Sequence, residues 1–214
     1  MNITIRNQIF TLHHLGAIYW NDKKTLLISD VHFGKVAHFR KHGIAIPRAL
    51  LNENYNNLDT LIASFDPEKI IFLGDLFHSI LNAEWELFAD WTTSIRQEII
   101  LIEGNHDVIA KENYLDLDIA VIPELRLDDF LLTHHPVETN GYFNFCGHIH
   151  PGVKLFGLGR QHLKLACFFQ TANQMILPAF GSFTGKYFIA PTNGNIIYGI
   201  ADATVFKVKF SEQV

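Results

Sequence analysis

Residues 25–32 of the chain read TLLISDVH, a short apolar run followed by two polar side chains. An uninterrupted apolar run of this length is typical of a strand that is buried on both faces. Asp30 and His32 follow the run directly, two positions apart. Because residues two apart can point to the same side on leaving a strand, one loop can present both side chains. The stretch therefore predicts a buried strand that ends at a functional site.

The same arrangement occurs at four further places. Apolar strands are expected at residues 69–73, 98–102, 130–133 and 143–146. A polar cluster follows each of them, in order Gly74-Asp75, Gly104-Asn105-His106-Asp107, His134 and Gly147-His148-Ile149-His150. In open α/β sheets, ligands bind at the carboxyl ends of the strands. Five such clusters after five strands indicate one site rather than unrelated turns and surface histidines.

The helices are expected between the strands of the first half. Apolar residues at spacings of three and four follow Pro47, which suits the first position of a helix, and they continue to Phe65. A second helix is expected at residues 83–95 with Asn82 as its N-cap, and a short one at residues 35–41. Alternating strands and helices indicate β-α-β units. The pattern predicts an α/β fold with two packed sheets and helices outside, as one domain of residues 1–214.

Outside the five clusters the chain reads mostly as strands. The first part predicts strands at residues 3–5, 9–12 and 17–20. From residue 153 onward only strands are expected, at residues 163–169, 175–177, 187–190, 196–200 and 205–210. The turns between them contain Gly, Asn and Pro.

Composition limits the classes of function. The net charge of the 214 residues is −5, so no strongly basic face for nucleic acid is visible in the totals. Bound divalent cations would reverse the charge of an acidic site, so a phosphate substrate is not excluded. The two cysteines form no paired motif, which favours a reducing compartment. No signal peptide and no apolar run long enough for a membrane span are recognised, so we expect a cytoplasmic protein without membrane attachment.

The residue types in the clusters decide the chemistry. Carboxylate oxygens, an amide oxygen and imidazole nitrogens without a thiolate suit Mn²⁺, Fe or Zn²⁺. The clusters contain too many such side chains for one open catalytic site. They suit two divalent ions that lie about 3.5–4 Å apart and share a bridging carboxylate.

In their order and types, these motifs resemble those of the calcineurin-like metallophosphoesterase superfamily, over roughly residues 26–150. The resemblance implies a two-sheet β-sandwich flanked by helices, in four layers α/β/β/α. It implies one metal held by Asp30, His32, Asp75 and His150. It implies a second metal held by Asp75, Asn105, His134 and His148, with Asp75 as the bridge. Either His134 or His135 could supply the ligand, and we assign His134 because it stands at the strand end.

The resemblance also implies an activity. A hydroxide bridging the metals would attack phosphorus, with two divalent ions, most simply Mn²⁺, as cofactors. His106 would donate a proton to the leaving oxygen, and Asp107 would orient His106. Lys35 and Arg40 lie near the first cluster in sequence and could bind the substrate phosphate. A solvated helix face explains these two residues equally well.

A narrower resemblance rests on the flanking sequence. It is to a bacterial metallophosphoesterase subfamily associated with a DNA ligase and a helicase in DNA-repair operons. The stretches that carry it are residues 29–35 (SDVHFGK), 39–40 (FR), 43–47 (GIAIP), 74–79 (GDLFHS) and 177–185 (LPAFGSFTG).

Three functions are weighed. The leading hypothesis is a phosphodiesterase acting on DNA, RNA or another phosphodiester, and in this subfamily a nuclease linked to DNA repair. The second is a hydrolase of small phosphorylated metabolites or pyrophosphates, which would differ in the roof of the pocket, expected in the 35–65 region and in a loop around residues 152–162. The third is a non-catalytic scaffold, which predicts lost ligands, and none is lost here. A homodimer through the apolar C-terminal strands stays open.

Overall fold

A computed structural model describes residues 1–35, 52–78, 80–157, 161–181, 184–190 and 192–209. Its first sheet has seven strands whose order in space follows the sequence. The strands are β1 (Asn2–Ile5), β2 (Gln8–Leu12), β3 (Ile18–Trp20), β4 (Thr25–Ile28), β5 (Lys69–Phe72), β6 (Glu98–Ile102) and β7 (Ala120–Ile122). The first four pair antiparallel, and β4 to β7 pair parallel.

The second sheet has nine strands. They are β8 (Leu125–Leu127), β9 (Phe130–Leu132), β10 (Phe143–Cys146), β11 (Pro151–Phe156), β12 (His162–Gln170), β13 (Gln174–Ile176), β14 (Tyr187–Phe188), β15 (Ile196–Ala201) and β16 (Thr204–Lys207). Their order is β14-β11-β12-β13-β10-β9-β8, and β15 pairs with both β12 and β16. β10 lies parallel to both β9 and β13, so the carboxyl ends of β9 and β10 point the same way.

Strand β4 is buried on both faces, as its sequence predicts. Leu26 and Ile28 belong to the apolar cluster under the helices, whereas Leu27 belongs to the cluster between the sheets. The period of two along a strand therefore divides one apolar run between two cores. Phe130 and Phe145 on the second sheet complete the core between the sheets.

Three α-helices are described, α1 (Glu53–Phe65), α2 (Ala83–Ser94) and α3 (Lys111–Leu115), besides a 3₁₀ turn at Asn21–Lys23. Leu58 of α1 and Phe88 of α2 are fully buried in the cluster with the first sheet. The predicted N-cap is present, because the Asn82 side chain accepts a hydrogen bond from the Glu84 backbone N–H at 2.8 Å. The two longer helices lie where the sequence predicts them, although the predicted start of the first, at residues 47–51, lies outside the described residues, and α3 was not predicted. Of the expected helix at residues 35–41, all but Lys35 lies outside the described residues.

The two-sheet α/β sandwich is confirmed. The helices described all join the cluster on the outer face of the first sheet. The outer face of the second sheet carries a third apolar cluster. In the part of the chain described, its side chains come mainly from strands, and they include Val153 of β11 and both free cysteines. No helix among the described residues is long and apolar enough to cross a membrane.

The segment expected as a loop around residues 152–162 is mostly strand. β11 occupies Pro151–Phe156 and pairs antiparallel with the first half of β12. Lys154 interrupts the apolar pattern of this strand, and Pro151 is a turn-favouring residue. Proline is nevertheless tolerated as the first residue of a strand. The short strands β7 and β8 were also missed, because their side chains are only half buried or exposed.

Candidate metal centre

Parallel pairing gathers the predicted ligands at one edge of the sandwich. Asp30, Asp75 and Asn105 follow the parallel strands β4, β5 and β6. His134 and His148 follow the parallel strands β9 and β10 of the second sheet. Because the carboxyl ends of parallel strands lie at one edge, side chains far apart in sequence meet there.

A first group of ligand-type side chains consists of Asp30, His32 and His150. His150 Nε2 lies 3.1 Å from Asp30 Oδ1 and 3.4 Å from His32 Nε2. One atom from each of the three lies within 4.8 Å of the others, which is close enough for all three to hold one ion. Asp30 is fully buried and His32 is 4% exposed, whereas His150 is half buried, so two of the three side chains lie in the core.

A second group consists of Asn105, His134 and His148. His134 Nε2 lies 3.1 Å from Asn105 Oδ1 and 3.3 Å from His148 Nδ1. His134 is buried, His148 is half buried and Asn105 is exposed. This group therefore faces solvent more than the first.

Asp75 lies between the two groups. Its Oδ2 is 3.9 Å from His32 Nε2, and its Oδ1 is 3.4 Å from His134 Nε2. Each oxygen thus faces a different group, as a carboxylate that bridges two ions must.

The backbone of the site adopts a conformation that side chains usually avoid. Five of the seven predicted ligands have positive φ, namely Asp30 (55°), His32 (51°), Asp75 (52°), His148 (68°) and His150 (52°). A positive φ is uncommon in residues other than glycine, and residues with this strained conformation cluster at functional sites. The surrounding contacts must therefore hold these loops in place.

Glycines next to the ligands allow the loops to approach each other. A Cβ at Gly74 would lie 2.3 Å from His134 Nδ1, and one at Gly147 would lie 2.5 Å from Asp30 Oδ2. Gly74 also has a φ of 83°. The Gly-Asp and Gly-His pairs in the sequence are therefore packing requirements of the site as well as turns.

His134 and His135 differ in orientation. His134 Nδ1 lies 2.8 Å from the carbonyl oxygen of Leu73. A carbonyl oxygen only accepts hydrogen bonds, so Nδ1 carries the proton and Nε2 presents its lone pair to the site. His135 is exposed, and the centre of its ring lies 4.1 Å from that of His148, with the two ring planes tilted by 57°. His135 can still join His134 and His148 in a three-histidine cluster.

The electrostatics of the first group suit a cation. Burial lowers the pKa of His32 to about 3, so its imidazole is neutral at pH 7. Burial raises the pKa of Asp30, but contacts with His150 and Ser29 outweigh this, and the pKa stays below its usual range. Asp30 Oδ1 is buried without a hydrogen bond of good geometry, although His150 Nε2 is near. A buried anionic oxygen near the neutral imidazole of His32 fits a metal ion.

The contacts of Asp107 differ from those expected of a partner for His106. Asp107 Oδ2 accepts from the backbone N–H groups of Asp75 and Gly104, at 2.8 and 2.9 Å. Its Oδ1 accepts from those of Leu76 and Phe77, at 2.9 and 3.3 Å. Both oxygens thus join the loops after β5 and β6, and none of the described hydrogen bonds links them to the imidazole of His106.

His106 lies at the rim of the site. Its side chain is exposed, and its ring lies 5.6 Å from the ring of His32 and 5.5 Å from that of His78. Its backbone N–H donates to Asp75 Oδ1 at 2.9 Å. The residue is therefore next to both the first group and the bridging carboxylate.

Lys35 is half buried close to the carboxylates. Burial lowers the pKa of its ammonium, and attraction to Asp30 and Asp75 opposes this shift. Arg40, the other candidate for binding phosphate, lies outside the described residues.

Several residues that support the site carried no signal that singled them out. Ser29 Oγ donates to Asp30 Oδ2, and the backbone N–H of Gly181 donates to the Asp30 carbonyl at 3.1 Å. A Cβ at Gly181 would lie 2.4 Å from the Val31 carbonyl oxygen. The segment 177–185 was noted only for its resemblance to a subfamily. In the structure, Phe180 and Gly181 of this segment donate backbone hydrogen bonds to the loop after β4 and hold it in place.

The profile of the calcineurin-like phosphoesterase family matches residues 23–160 of this chain. The chain belongs to the calcineurin-like phosphoesterase family. It is therefore a metal-dependent phosphoesterase, and its His and Asp clusters are consistent with a binuclear metal site. The match spans every strand end that carries a predicted ligand.

Among solved structures, the chain resembles the nuclease MPE of Pseudomonas putida, with 32% identity and a TM-score of 0.82. The alignment covers 97% of this chain and 99% of that protein. A second similar structure is that of Yfce, a phosphoesterase from E. coli, at 15% identity, 86% and 97% coverage and a TM-score of 0.45. A comparison with curated protein sequences finds no match.

Proposed function

We propose that this phosphoesterase is a nuclease that cleaves phosphodiesters of nucleic acid at a centre of two divalent ions. The observation that carries the proposal is the placement of Asp75, whose two oxygens face two separate ligand groups. The resemblance to a nuclease over nearly the full length of both chains supports nucleic acid as the substrate.

We assign the ions to the two groups together with the bridge. Asp30, His32, Asp75 and His150 would hold one ion, and Asp75, Asn105, His134 and His148 the other. The mixed oxygen and nitrogen donors suit Mn²⁺, with Fe or Zn²⁺ as the other candidates. When bound, two such ions supply positive charge for the phosphoryl oxygens and lower the pKa of water.

The side chains of the chain have their own roles in this proposal. His106, at the rim, donates a proton to the leaving oxygen. Lys35 binds a phosphoryl oxygen as a charged donor. Asp107 positions Asp75 by holding the loops after β5 and β6 together. We no longer assign Asp107 as the partner of the His106 ring, because its oxygens accept from the backbone.

The test compares a diester with a monoester. The protein is stripped of metal, reloaded with Mn²⁺, and assayed with bis-p-nitrophenyl phosphate and p-nitrophenyl phosphate, alongside His106→Ala and Asp75→Ala. Diester cleavage that needs metal and is lost in Asp75→Ala supports the proposal. Monoester preference favours small metabolites or pyrophosphates as substrates. A folded protein that is inactive with every metal would point to a non-catalytic scaffold.

We further propose that the chain belongs to the bacterial subfamily associated with a DNA ligase and a helicase in repair. The flanking motifs and the similarity to a nuclease along the whole chain support this assignment. A ligase joins a 3′-hydroxyl to a 5′-phosphate, so cleavage should leave these ends. Mass spectrometry of the products checks this, and 3′-phosphate ends would count against the assignment. A cytoplasmic location and a homodimer stay predictions, testable by fractionation and light scattering.

A further inference from the structure

Charge is distributed unevenly along this acidic chain. The net charge is −5, yet no Asp or Glu occurs between Glu138 and Asp202. Lys154, Lys164 and Lys186 lie in that stretch. They belong to one part of the second sheet, formed by β11, the paired half of β12 (162–166) and β14 with the residue before it (186–188). We call this part the basic arm.

Two lysines of the basic arm face each other across the strands. Lys154 and Lys164 are register partners in the β11–β12 pair, and both side chains are exposed. Like charges directly opposite one another destabilise a sheet. Their ammonium nitrogens lie 4.9 and 5.7 Å from the centre of the same Phe188 ring. The Phe188 ring therefore attracts both ammonium groups and keeps them close together.

Lys24 and Lys69 are arranged differently. On the first sheet, Lys24 Nζ lies 2.7 Å from Glu68 Oε1, and Lys69 Nζ lies 3.0 Å from Glu98 Oε2. Within the described ranges, no Asp or Glu forms an ion pair with any of the three lysines of the basic arm. Two adjacent cations without a counter-charge are suited to an anionic ligand.

The basic arm is continuous with the metal centre. β11 begins directly after His150, and the backbone N–H of Tyr187 donates to the His150 carbonyl at 2.9 Å. A cavity of about 210 Å³ is lined by His150, Ala166 and Lys186 among others. Ala166, which lines this cavity, lies on β12 two residues from Lys164.

The register of the strands places Ala166 of the cavity and the lysine pair on the same face of the sheet. Ala166 pairs with Gly152, one step of two residues before the pair of Lys154 and Lys164. Side chains two apart on a strand share a face. At about 3.3 Å per residue, Lys154 lies roughly 13 Å along β11 from His150. That separation is within the reach of a polymer whose scissile phosphate lies at the metal centre.

We propose that the basic arm binds the phosphate backbone of a nucleic-acid strand beside the metal centre, with Lys186 near the cavity and Lys154 and Lys164 farther out. This rests on the proposed nuclease function. It also explains how an acidic protein can act on a polyanion. Among the described residues, the three lysines of the basic arm gather positive charge on a surface that leads away from the site, and the net charge of the chain conceals this.

The test measures binding and cleavage separately. Binding of a fluorescein-labelled DNA oligonucleotide of about 16 nucleotides is followed by anisotropy with Ca²⁺ in place of Mn²⁺, at several salt concentrations. Cleavage of the same oligonucleotide is followed with Mn²⁺. The variant is Lys154→Gln with Lys164→Gln. The matched control is Lys24→Gln with Lys69→Gln, which changes the net charge equally on the first sheet.

We expect the arm variant to raise the Kd at least about tenfold, and the control to change it less than about twofold. The slope of log Kd against log salt should fall by about 1.4 in the arm variant, since two phosphate contacts on a single strand contribute about 0.7 each. An unchanged Kd in the arm variant would overturn the proposal. An equal rise in both variants would also overturn it, because the effect would then be one of net charge.

Phe188→Leu tests the ring separately. Leucine keeps apolar volume but cannot attract the two ammonium groups, so we expect a rise in Kd of about two- to fivefold with an unchanged salt slope. An unchanged Kd in this variant would refute the positioning role of the ring.

Failure of the nuclease proposal has a different pattern. If the wild-type protein binds the oligonucleotide but does not cleave it, the proposed activity fails and the basic arm is still judged by the Kd values. If the wild-type protein cleaves the oligonucleotide, and the arm variant binds and cleaves it equally well, the proposal for the basic arm is wrong and the proposed activity is supported. No binding by wild type would overturn the basic arm outright.

Discussion

The two groups of metal ligands differ in how far they lie from solvent. In the first group, Asp30 is fully buried and His32 is 4% exposed. In the second, Asn105 is exposed and His148 half buried. Both groups face the same carboxylate, Asp75. The difference in exposure therefore comes from the residues that surround each group and not from Asp75.

This difference indicates separate tasks for the two sides. The first group is fixed by backbone contacts from neighbouring loops, including the Gly181 N–H on the Asp30 carbonyl. An ion held there has little access to solvent and should exchange slowly. The second side is open, so an ion there can exchange with solvent more easily.

The largest expected effect is that of Asp75→Asn, which removes the charge that the two groups share. We expect kcat/KM for the diester to fall at least about 10³-fold, since a bound ion contributes several kcal/mol to stabilising the transition state. Metal analysis should show fewer than two ions per chain. Asp129→Asn, at an exposed position, is the matched control and should retain activity. A loss of less than tenfold in Asp75→Asn would contradict the bridging assignment.

The second side can be tested with a pair of adjacent histidines. His134→Ala should lower kcat/KM at least about 100-fold. Removing a residue that only supports a metal ligand costs up to about 100-fold, and loss of the ligand itself should cost at least as much. His135→Ala should stay within about twofold, because exposed substitutions usually change free energies by no more than ~0.5 kcal/mol. Kinetics with the diester at saturating Mn²⁺ check both. The reverse order would identify His135 as the ligand.

Much of the site was accessible from the sequence because local and distant signals coincide. An apolar run followed by polar ligand-type residues, as at residues 25–32, needs only its own neighbours to be recognised. Parallel pairing of the strands then brings these loops together, and that follows from the alternation of strands and helices. The helix at Asn82 was predictable for the same reason, since a cap acts within one turn.

Contacts between distant segments were not accessible. Asp107 follows His106 in sequence, so a partnership of neighbours was expected, yet its carboxylate accepts from residues around Asp75 instead. The opposition of Lys154 and Lys164 depends on the register of two strands. Neither strand alone specifies that register. Net charge hides such an arrangement because it sums over all surfaces.

A smaller effect should distinguish the buried side from the open one. We expect Asn105→Ala to weaken metal affinity about 10- to 100-fold, with activity recovered at higher Mn²⁺. In His32→Ala, higher Mn²⁺ should not restore the lost activity, because the missing imidazole lies in the core. Titration of activity with Mn²⁺ gives both results. Recovery of His32→Ala, or none for Asn105→Ala, would remove the distinction between the two sides.

The smallest effect is expected for Lys35→Gln. Lys35 is attracted to Asp30 and Asp75, but bound cations would neutralise these carboxylates and leave the ammonium free for a phosphoryl oxygen. One hydrogen bond between charged groups contributes at least about 1.5 kcal/mol, so KM for the diester should rise about tenfold while kcat changes little. Lys24→Gln, which removes an exposed lysine from the first sheet, is the control. A fall in kcat with an unchanged KM would mean that Lys35 acts on the transition state and not on substrate binding.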